Sequence, residues 1–218
     1  MDDGVLFVGA HAWAQQLAAA VKAHGFRVLM IDANPRNVRQ ALRNGLPAQR
    51  ANALSESVID DLDLGGIGRL VALTLNDEVN ALAALNFSEL FESNEIYQLA
   101  PRQDGERGEL PKHLRGQPLF GTEVNYAHLA DRFERGAAVE TLPLTKDLTY
   151  KDFLARHGEN ALPLFLIRGD HLHVISDAAN QTPQPGDKLV ALIDPAEVEL
   201  AKAEGGEVSL SVPPPTNS

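Results

Sequence analysis

The stretch that decides the fold is Val5–Asn34, which reads VLFVGAHAWAQQLAAAVKAHGFRVLMIDAN. An apolar run at its start has the character of a β-strand and ends at Gly9, and a second apolar run stops at Asp32. Between them, apolar residues recur from about His11 at three- and four-residue spacing, as on one face of a helix, and Gly25 follows at the C′ position. The stretch therefore predicts a strand–turn–helix–strand unit with an acid at the second strand's end, the layout of a nucleotide-binding β-α-β unit.

The turn after the first strand keeps only part of the glycine fingerprint of dinucleotide sites. The three glycine positions of that fingerprint hold Gly9, His11 and Ala14 here. Gly9 supplies the tight turn and Ala14 is small, but His11 places a side chain where bare backbone normally approaches a pyrophosphate. This departure disfavours a full dinucleotide, whereas a single phosphate at the helix N-terminus remains feasible. The alternative is a β-α-β unit with a vestigial crevice.

Two further observations bear on the ligand. Asp32 follows Gly9 at close to the spacing of about 20 residues that separates the turn from a ribose-binding acid, and a carboxylate favours an unphosphorylated ribose diol. Four polar residues lie at or just after the ends of later strand signals and reach the same edge of the predicted sheet: Asn52, Thr74, Asn76 and Asp77. Capping and turn formation explain such residues equally well, because Asn and Asp suit both roles.

The composition excludes several classes of protein. The 218 residues carry a formal net charge of −11, which argues against a nucleic-acid partner. No cysteine is present, so disulfides, thiolate nucleophiles and cysteine-ligated zinc are excluded. No apolar run approaches the roughly 18 residues of a membrane span, and the acidic start is unlike a signal peptide. We therefore expect the chain itself to be soluble.

The first part of the chain predicts an α/β fold, a Rossmann-like doubly wound parallel sheet over residues 1–102. Helical patterns separate five strand signals, which are Val5–Val8, Phe26–Ile31, Leu46–Asn52, Leu70–Leu75 and Glu95–Leu99. The helix after Asn34 begins with Pro35, a residue suited to the first helical position. Ser55 to Ser57 are expected to cap a helix through Leu62, and Asn76 or Asp77 the helix that follows the fourth strand.

The second part predicts a smaller α+β domain. Residues 103–125 form the expected linker, residues 126–200 the small domain and residues 201–218 a flexible tail. Within the domain, the sequence predicts two helices and four strands, which are Tyr126–Arg135, Leu148–His157, Val139–Leu144, Leu162–Ile167, Leu172–Ile175 and Lys188–Ile193. Arg168 to His171 would connect the second and third of these strands as a hairpin turn.

Enzyme signatures are weak in this sequence. It contains neither a Gly-x-Ser-x-Gly elbow nor a Walker Gly-Lys-Ser/Thr motif, and no acid or base stands out as catalytic. His171 and His173 lie on one face of a predicted strand and suggest a pair of metal ligands. The preferred interpretation is that they are two polar residues on the solvent-exposed face of a hairpin. Trp13 is interpreted as helix-face packing or a dimer contact rather than a stacking platform, because Leu17 shares its face.

Several segments together resemble a known family. The segments GAHAWAQQLA, VLMIDANPRNV and LTLNDEVNALA, with EIYQLAP after the last, resemble the TrkA-N or RCK domains that regulate potassium conductance and transport. Among these, the chain is most similar to the cytosolic regulatory tail of bacterial cation/proton (Na+/H+) antiporters. The later segments LFLIRGDHLHVI and PQPGDKLVAL are similar to the companion TrkA-C module. The first similarity covers roughly Val5–Arg102, and the second about Val139–Ile193.

The resemblance implies a non-enzymatic regulator that binds an adenine nucleotide (AMP, ADP or ATP, with NAD less favoured). It implies a homodimer that gates a membrane-embedded cation transporter domain or subunit from the cytoplasmic face of the inner membrane. It places the phosphate turn on Gly9, Ala10, His11, Ala12 and Trp13, the ribose acid on Asp32, the base-flanking residue on Asn52, and further contacts on Thr74, Asn76 and Asp77; the expected binding set also includes Asn34. An NAD-dependent oxidoreductase and a ligand-free dimerisation module remain the alternatives.

Overall fold

The computed structural model describes residues 3–55, 57–102, 116–176, 182–195 and 207–208. The first part of the chain forms a six-stranded parallel sheet in the order β3-β2-β1-β4-β5-β6. Its strands are β1 (Gly4–Val8), β2 (Val28–Asp32), β3 (Ala48–Arg50), β4 (Ile67–Ala72), β5 (Ile96–Gln98) and β6 (Gln117–Pro118). Its helices are α1 (Ala12–Ala23), α2 (Pro35–Arg43), α3 (Val58–Asp61) and α4 (Asp77–Asn86), and a 3₁₀ turn (Ser93–Glu95) precedes β5. The Rossmann-like doubly wound sheet is therefore confirmed.

One strand of this sheet was not predicted from the sequence, and another was predicted too far along the chain. β6 pairs in parallel with β5 and lies inside the segment expected to be a linker, because two residues give no periodic pattern. β4 ends at Ala72, although the apolar run predicted a strand to Leu75. Leu75 is exposed, and Thr74 is held by hydrogen bonds to α4 rather than by a neighbouring strand. Residues 103–115 of the expected linker lie outside the described residues.

Helix boundaries follow local chemistry in three of the four helices around this sheet. Gly25 follows His24, the C-cap residue of α1, and has φ 86°, a conformation that suits glycine at a helix end. The side chain of Asn34 accepts the Arg36 N–H at the start of α2, and Asn76 caps α4 in the same way. The expected cap of α3 is wrong, because within the described residues the Ser57 side chain makes no capping bond and this helix has only four residues.

The second part of the chain forms an antiparallel sheet in the order β11-β7-β10-β8-β9. Its elements are α5 (Tyr126–Glu134), β7 (Ala138–Pro143), α6 (Tyr150–His157), a 3₁₀ turn (Gly158–Asn160), β8 (Ala161–Arg168), β9 (His171–Val174), β10 (Lys188–Ile193) and β11 (Glu207–Val208). The α+β architecture and the β8–β9 hairpin are confirmed. Of the expected tail, 207–208 pair with β7, and the other residues of 201–218 lie outside the described part of the chain.

One hydrophobic core joins the two sheets, and α1 lies inside it. Trp13, Leu17 and Val21 from α1 belong to the same buried cluster as Phe165 and Val190 from the antiparallel sheet. A separate buried cluster covers the opposite face of the parallel sheet. Burial on both faces explains the continuous apolar runs of the central parallel strands. The edge at which the parallel strands end thus belongs to a sheet that is covered on both faces.

An ion-pair network joins the two sheets at the opposite edge from the strand ends discussed below. The guanidinium of Arg69 is 7% exposed and donates to Asp3 (3.2 Å) and to Glu95 (2.8 Å), and His171 of β9 contacts Asp3 at 3.0 Å. Burial raises the pKa of Asp3, but the hydrogen bonds from His171 and Arg69 outweigh it and the pKa lies below its ordinary value. The network therefore fixes the hairpin to the start of the parallel sheet.

Removal of the buried cation should destabilise the fold measurably. Arg69→Met keeps the aliphatic stem but leaves Asp3 and Glu95 without their cation, so we expect a loss of about 2–3 kcal/mol in the free energy of unfolding. Urea unfolding at neutral pH measures this loss. Arg27→Met is the matched control, because Arg27 pairs with the exposed Asp63 and its removal should change the stability far less. Equal losses in the two variants would contradict the network's role.

Candidate functional site

The candidate site lies where the parallel strands end, at the turn from β1 into α1. Gly9 has φ 107°, and a Cβ atom there would lie 3.4 Å from the backbone of Leu73 and Thr74. The Gly9 N–H donates to the Ile31 carbonyl at 2.8 Å, which ties the turn to β2. Glycine is favoured here by the left-handed backbone conformation, since a Cβ atom would make only ordinary van der Waals contact with its neighbours. The turn therefore sits against both strands that flank β1.

Asp32 lies directly against this turn and is already hydrogen-bonded. Its Oδ2 accepts the Ala10 N–H and the side-chain amide of Asn37, each at 2.8 Å. Its Oδ1 accepts the Asn34 N–H at 2.8 Å. The carboxylate is half-buried, so one side of it still faces solvent. The structure thus brings together the predicted phosphate turn and the predicted ribose acid, and adds Asn37, which the sequence analysis missed.

A buried glutamine holds the second backbone group of Ala10, its carbonyl. Gln15 is 1% exposed, and its Nε2 donates to the Ala10 carbonyl at 2.7 Å. Its Oε1 accepts the side-chain amide of Asn44 at 2.7 Å. A glutamine on the apolar face of a predicted helix was a signal that the sequence analysis did not use, because a buried amide needs polar partners. The turn is therefore preformed rather than loose.

His11 occupies the position where the fingerprint calls for glycine, and its ring crosses the gap between β1 and β4. Its Nε2–H donates to the Leu73 carbonyl at 2.8 Å. Within the described residues, the ring makes no capping bond to α1, so side chains leave the first N–H groups of that helix free. Burial lowers the pKa of His11, although the bond to Leu73 and the charge of Asp32 act in the opposite direction. The ring is therefore neutral near pH 7.

The lowered pKa of His11 predicts a pH-dependent stability. The unfolded chain binds a proton near the ordinary histidine pKa of 6.5, whereas the folded ring resists it, so stability falls as the pH drops through that value. His11→Gln keeps a donor for the Leu73 carbonyl but does not titrate. We expect the stability difference between the wild type and this variant to shrink from about pH 7.5 to about pH 5.5, measured by urea unfolding. A constant difference would show that burial does not control the His11 pKa.

Trp13 is a packing residue of the core. Its ring is 6% exposed and stacks on Phe133 of α5, with centroids 5.8 Å apart and planes 9° apart. Tyr126, at the start of α5, lies 5.3 Å from Trp13 and 5.2 Å from His11 by ring centroids. The ring is therefore not a platform for a base, as the shared face with Leu17 predicted. The contact also places the first helix of the antiparallel half beside the turn.

The residues expected at the ends of β3 and β4 have local roles in the structure. Asn52 lies close to Asp32, because the neighbouring Ala51 N–H donates to the Asp32 carbonyl at 3.2 Å, and its side chain accepts the Leu54 N–H. The Thr74 N–H and hydroxyl both donate to Asn80, at 2.8 and 2.7 Å, and Asn80 donates back to the Thr74 carbonyl.

Asn76 and Asp77 lie further along the same turn. Asn76 accepts the Glu78 and Val79 N–H groups as the cap of α4. Asp77 Oδ2 accepts the Arg102 N–H at 3.1 Å. The capping and turn interpretation therefore describes Asn52, Thr74 and Asn76, whereas Asp77 binds Arg102 on a distant segment. Contacts of all four residues with a ligand stay a prediction. Asn80 and Arg102 were missed, because their partners lie on other elements.

Loss of the Asn80 amide should loosen the turn after β4. Asn80 is fully buried and makes three hydrogen bonds with Thr74, so Asn80→Ala leaves the Thr74 backbone without a partner. We expect a loss of about 2 kcal/mol in the free energy of unfolding and faster amide hydrogen exchange at Thr74. The Leu73 amide, which donates to the Val8 carbonyl, is the internal control. Unchanged hydrogen exchange at the Thr74 amide would contradict the role of Asn80 in holding this turn.

The predicted histidine pair, His171 and His173, lies on β9. Within the described ranges, no group of three or more His, Cys, Asp or Glu side chains is placed to hold a metal ion. His171 instead contacts Asp3, as described above. In the same part of the chain, no helix has both the length and the apolar character needed to cross a bilayer.

Comparisons with known proteins bear on the N-terminal half. The TrkA-N domain family matches residues 5–108, which confirms the resemblance expected for this half. A search of curated proteins found no match. Among solved structures, the chain is similar to the TrkA-N domain of the inner membrane protein ybaL from Escherichia coli, at 19% identity over 47% of this chain and 76% of that one, with a TM-score of 0.41.

Two further structures show the same range of similarity. An NAD(P)-binding domain of an exopolyphosphatase-related protein from Archaeoglobus fulgidus is 20% identical over 47% of this chain and 76% of that chain, with a TM-score of 0.41. The GsuK channel bound to NAD is 14% identical over 95% of this chain and 40% of that chain, with a TM-score of 0.46.

Proposed function

Because residues 5–108 carry a TrkA-N domain, we propose that this chain is a regulatory domain that binds an adenine mononucleotide and gates a monovalent cation transporter through rearrangement of a homodimer. The proposed ligand is AMP, ADP or ATP, and the chain has no catalytic role of its own. The proposed partner is a membrane-embedded transporter domain or subunit, with this chain on the cytoplasmic face of the inner membrane. Sodium/proton antiport, potassium/proton antiport and potassium transport are the candidate processes.

One observation carries the nucleotide proposal: the Ala10 N–H donates to Asp32 Oδ2 at 2.8 Å. This bond holds the acid against the start of α1, where side chains leave the helix N–H groups uncapped. A nucleotide needs an anion site for phosphate and an acceptor for ribose hydroxyls, and the two lie side by side here. The N–H groups of Ala12 and Trp13 belong to that first turn of α1.

His11 favours a mononucleotide over NAD. In a doubly wound sheet, a dinucleotide crosses from one half of the sheet to the other at the gap between β1 and β4. The His11 ring spans that gap through its 2.8 Å bond to the Leu73 carbonyl. A dinucleotide would have to displace the ring and break this bond, whereas a mononucleotide on the β1–β2–β3 side would not.

The proposed gating uses the aromatic contact between the turn and α5. Tyr126 lies 5.2 Å from the His11 ring, so a ligand at the turn would sit beside the helix that leads into the antiparallel half. A ligand biases two arrangements of a dimer only if it binds them with different affinity. Contact with groups from both halves of the chain provides a physical route to such a difference.

A ligand-free dimerisation module is the second candidate, and a specific surface favours it. The outer side of α4 carries exposed leucines, with Leu82 41% and Leu85 37% exposed. Together with Leu54 and Ile59 they line a groove of about 540 Å³ between α3 and α4. Asp32 also receives three hydrogen bonds from the protein itself, which satisfies most of the carboxylate without a ligand.

Calorimetric titration with AMP, ADP, ATP, NAD and NADH tests the nucleotide proposal. We expect saturable binding of an adenine mononucleotide, weakened roughly 10- to 100-fold by Asp32→Ala, because hydrogen bonds to a charged acceptor are lost. His11→Gly should improve the binding of NAD relative to the mononucleotide, because the gap between β1 and β4 opens. Asp63→Ala is the matched control, since this exposed carboxylate pairs with Arg27 away from the turn.

The outcomes separate the candidates. No heat and no thermal stabilisation by any of the five compounds would favour the dimerisation module. Equal affinity in the wild type and Asp32→Ala would remove Asp32 from the site. Hydride transfer between NADH and any substrate would overturn the non-enzymatic role and favour the oxidoreductase.

A further inference from the structure

The hydrogen bonds on Asp32 leave it with one acceptor position. A carboxylate has about four lone-pair positions, two on each oxygen. Oδ2 uses both of its positions, for the Ala10 N–H and the Asn37 amide, each at 2.8 Å. Oδ1 uses one, for the Asn34 N–H at 2.8 Å. A ribose diol offers two hydroxyl donors, so the carboxylate as it stands can accept only one of them.

The three donors to Asp32 differ in whether they can release the carboxylate without a movement of the backbone. The Ala10 N–H is a backbone group, and the carbonyl of the same residue is held by the Gln15 amide at 2.7 Å. The Asn34 N–H is also a backbone group, at the residue whose side chain caps α2. Asn37 contributes a side chain from the first turns of α2 and is only partly buried. Rotation about its side-chain bonds releases the Asp32 oxygen without any movement of the backbone.

We propose that Asn37 sets the ribose selectivity of the site. This inference rests on the proposed nucleotide function. The Asn37 amide occupies the acceptor position on Asp32 that a second ribose hydroxyl would use, and it competes with the ligand for that position. With Asn37 in place, Asp32 accepts one hydroxyl, and ribose and 2′-deoxyribose forms of the same nucleotide bind with similar affinity. Without the Asn37 amide, Asp32 accepts both hydroxyls and the ribose form binds more tightly.

The competition has a clear physical basis. The Asn37 amide and a ribose hydroxyl are both neutral donors to the same charged oxygen, so neither has an intrinsic advantage. The amide is tethered to α2 and loses little entropy on docking, whereas the hydroxyl must displace it. The ligand therefore gains little from its second hydroxyl in the wild type. Removal of the amide leaves a vacant acceptor that only water or the ligand can fill.

The test compares ADP with 2′-deoxy-ADP on the full chain by calorimetric titration. In the wild type we expect dissociation constants within about threefold of each other. In Asn37→Ala we expect ADP to bind roughly tenfold more tightly and 2′-deoxy-ADP to keep its wild-type affinity, because only ADP supplies the second hydroxyl. Asn37→Ser serves as a second variant, since serine is too short to replace the amide and suits the first turns of a helix.

Gln40→Ala is the matched control. Gln40 is an exposed amide one turn further along α2, and it contacts Asn44 rather than Asp32. Its removal should leave both dissociation constants unchanged. Thermal unfolding of all variants shows whether α2 remains folded, because a change in ADP affinity counts only for variants that unfold near the wild-type temperature.

Each outcome decides a different point. ADP binding by Asn37→Ala where the wild type binds neither nucleotide detectably would support the proposal. Wild-type binding with no change in the ratio of the two affinities in Asn37→Ala would overturn the role of Asn37 and leave the nucleotide site standing. A wild type that prefers ADP over 2′-deoxy-ADP by more than about tenfold would also overturn it. Failure of every variant to bind either nucleotide would overturn the proposed function, and this inference with it.

Discussion

The hydrogen bonds on the two backbone groups of Ala10 fix the direction in which α1 leaves β1. Asp32 holds the Ala10 N–H and Gln15 holds the Ala10 carbonyl, so neither of the two peptide units that meet at this residue can rotate without breaking a bond to a partner that is at least half-buried. The direction of α1 then decides the rest, because this helix belongs to the core shared by the parallel and antiparallel sheets. A rotation at the turn would disturb the stacking of Trp13 on Phe133, which is one of the contacts between the two halves.

Hydrogen bonds connect Asn44 to Gln15 and Gln15 to the Ala10 carbonyl behind the turn. Such buried polar groups favour one conformation, because any other would leave them without partners. Buried amides such as Gln15 lower stability unless each donor and acceptor finds a partner. Here Asn44 supplies the partner for the Gln15 oxygen, so the cost of desolvation is offset. The same arrangement keeps the turn in one conformation before any ligand arrives. A turn that is held in one conformation can bind a ligand without the entropy cost of ordering a loop.

Regular patterns in the sequence were sufficient to predict the architecture, but they were not sufficient to predict the contacts between distant residues. Apolar periodicity predicted α1, the parallel strands and the β8–β9 hairpin, because each is a local property of neighbouring residues. β6 was missed, since two residues give no period, and β4 was extended too far, since the run continues through exposed Leu75. Spacing brought Gly9 and Asp32 together correctly. Asn37 was missed, because its local role as a helix residue hides its contact with Asp32.

The two edge strands of the parallel sheet, β3 and β6, have a consequence for assembly. β3 is only three residues long and β6 only two, and the last residue of β6 is Pro118, which has no N–H to offer a neighbouring strand. Short edges and a proline disfavour the addition of a strand from another chain. In the part of the chain that the structure describes, the two edge strands therefore offer few backbone groups to a second molecule. Association by backbone pairing, the route that leads to open-ended aggregation, is disfavoured at both of these strands.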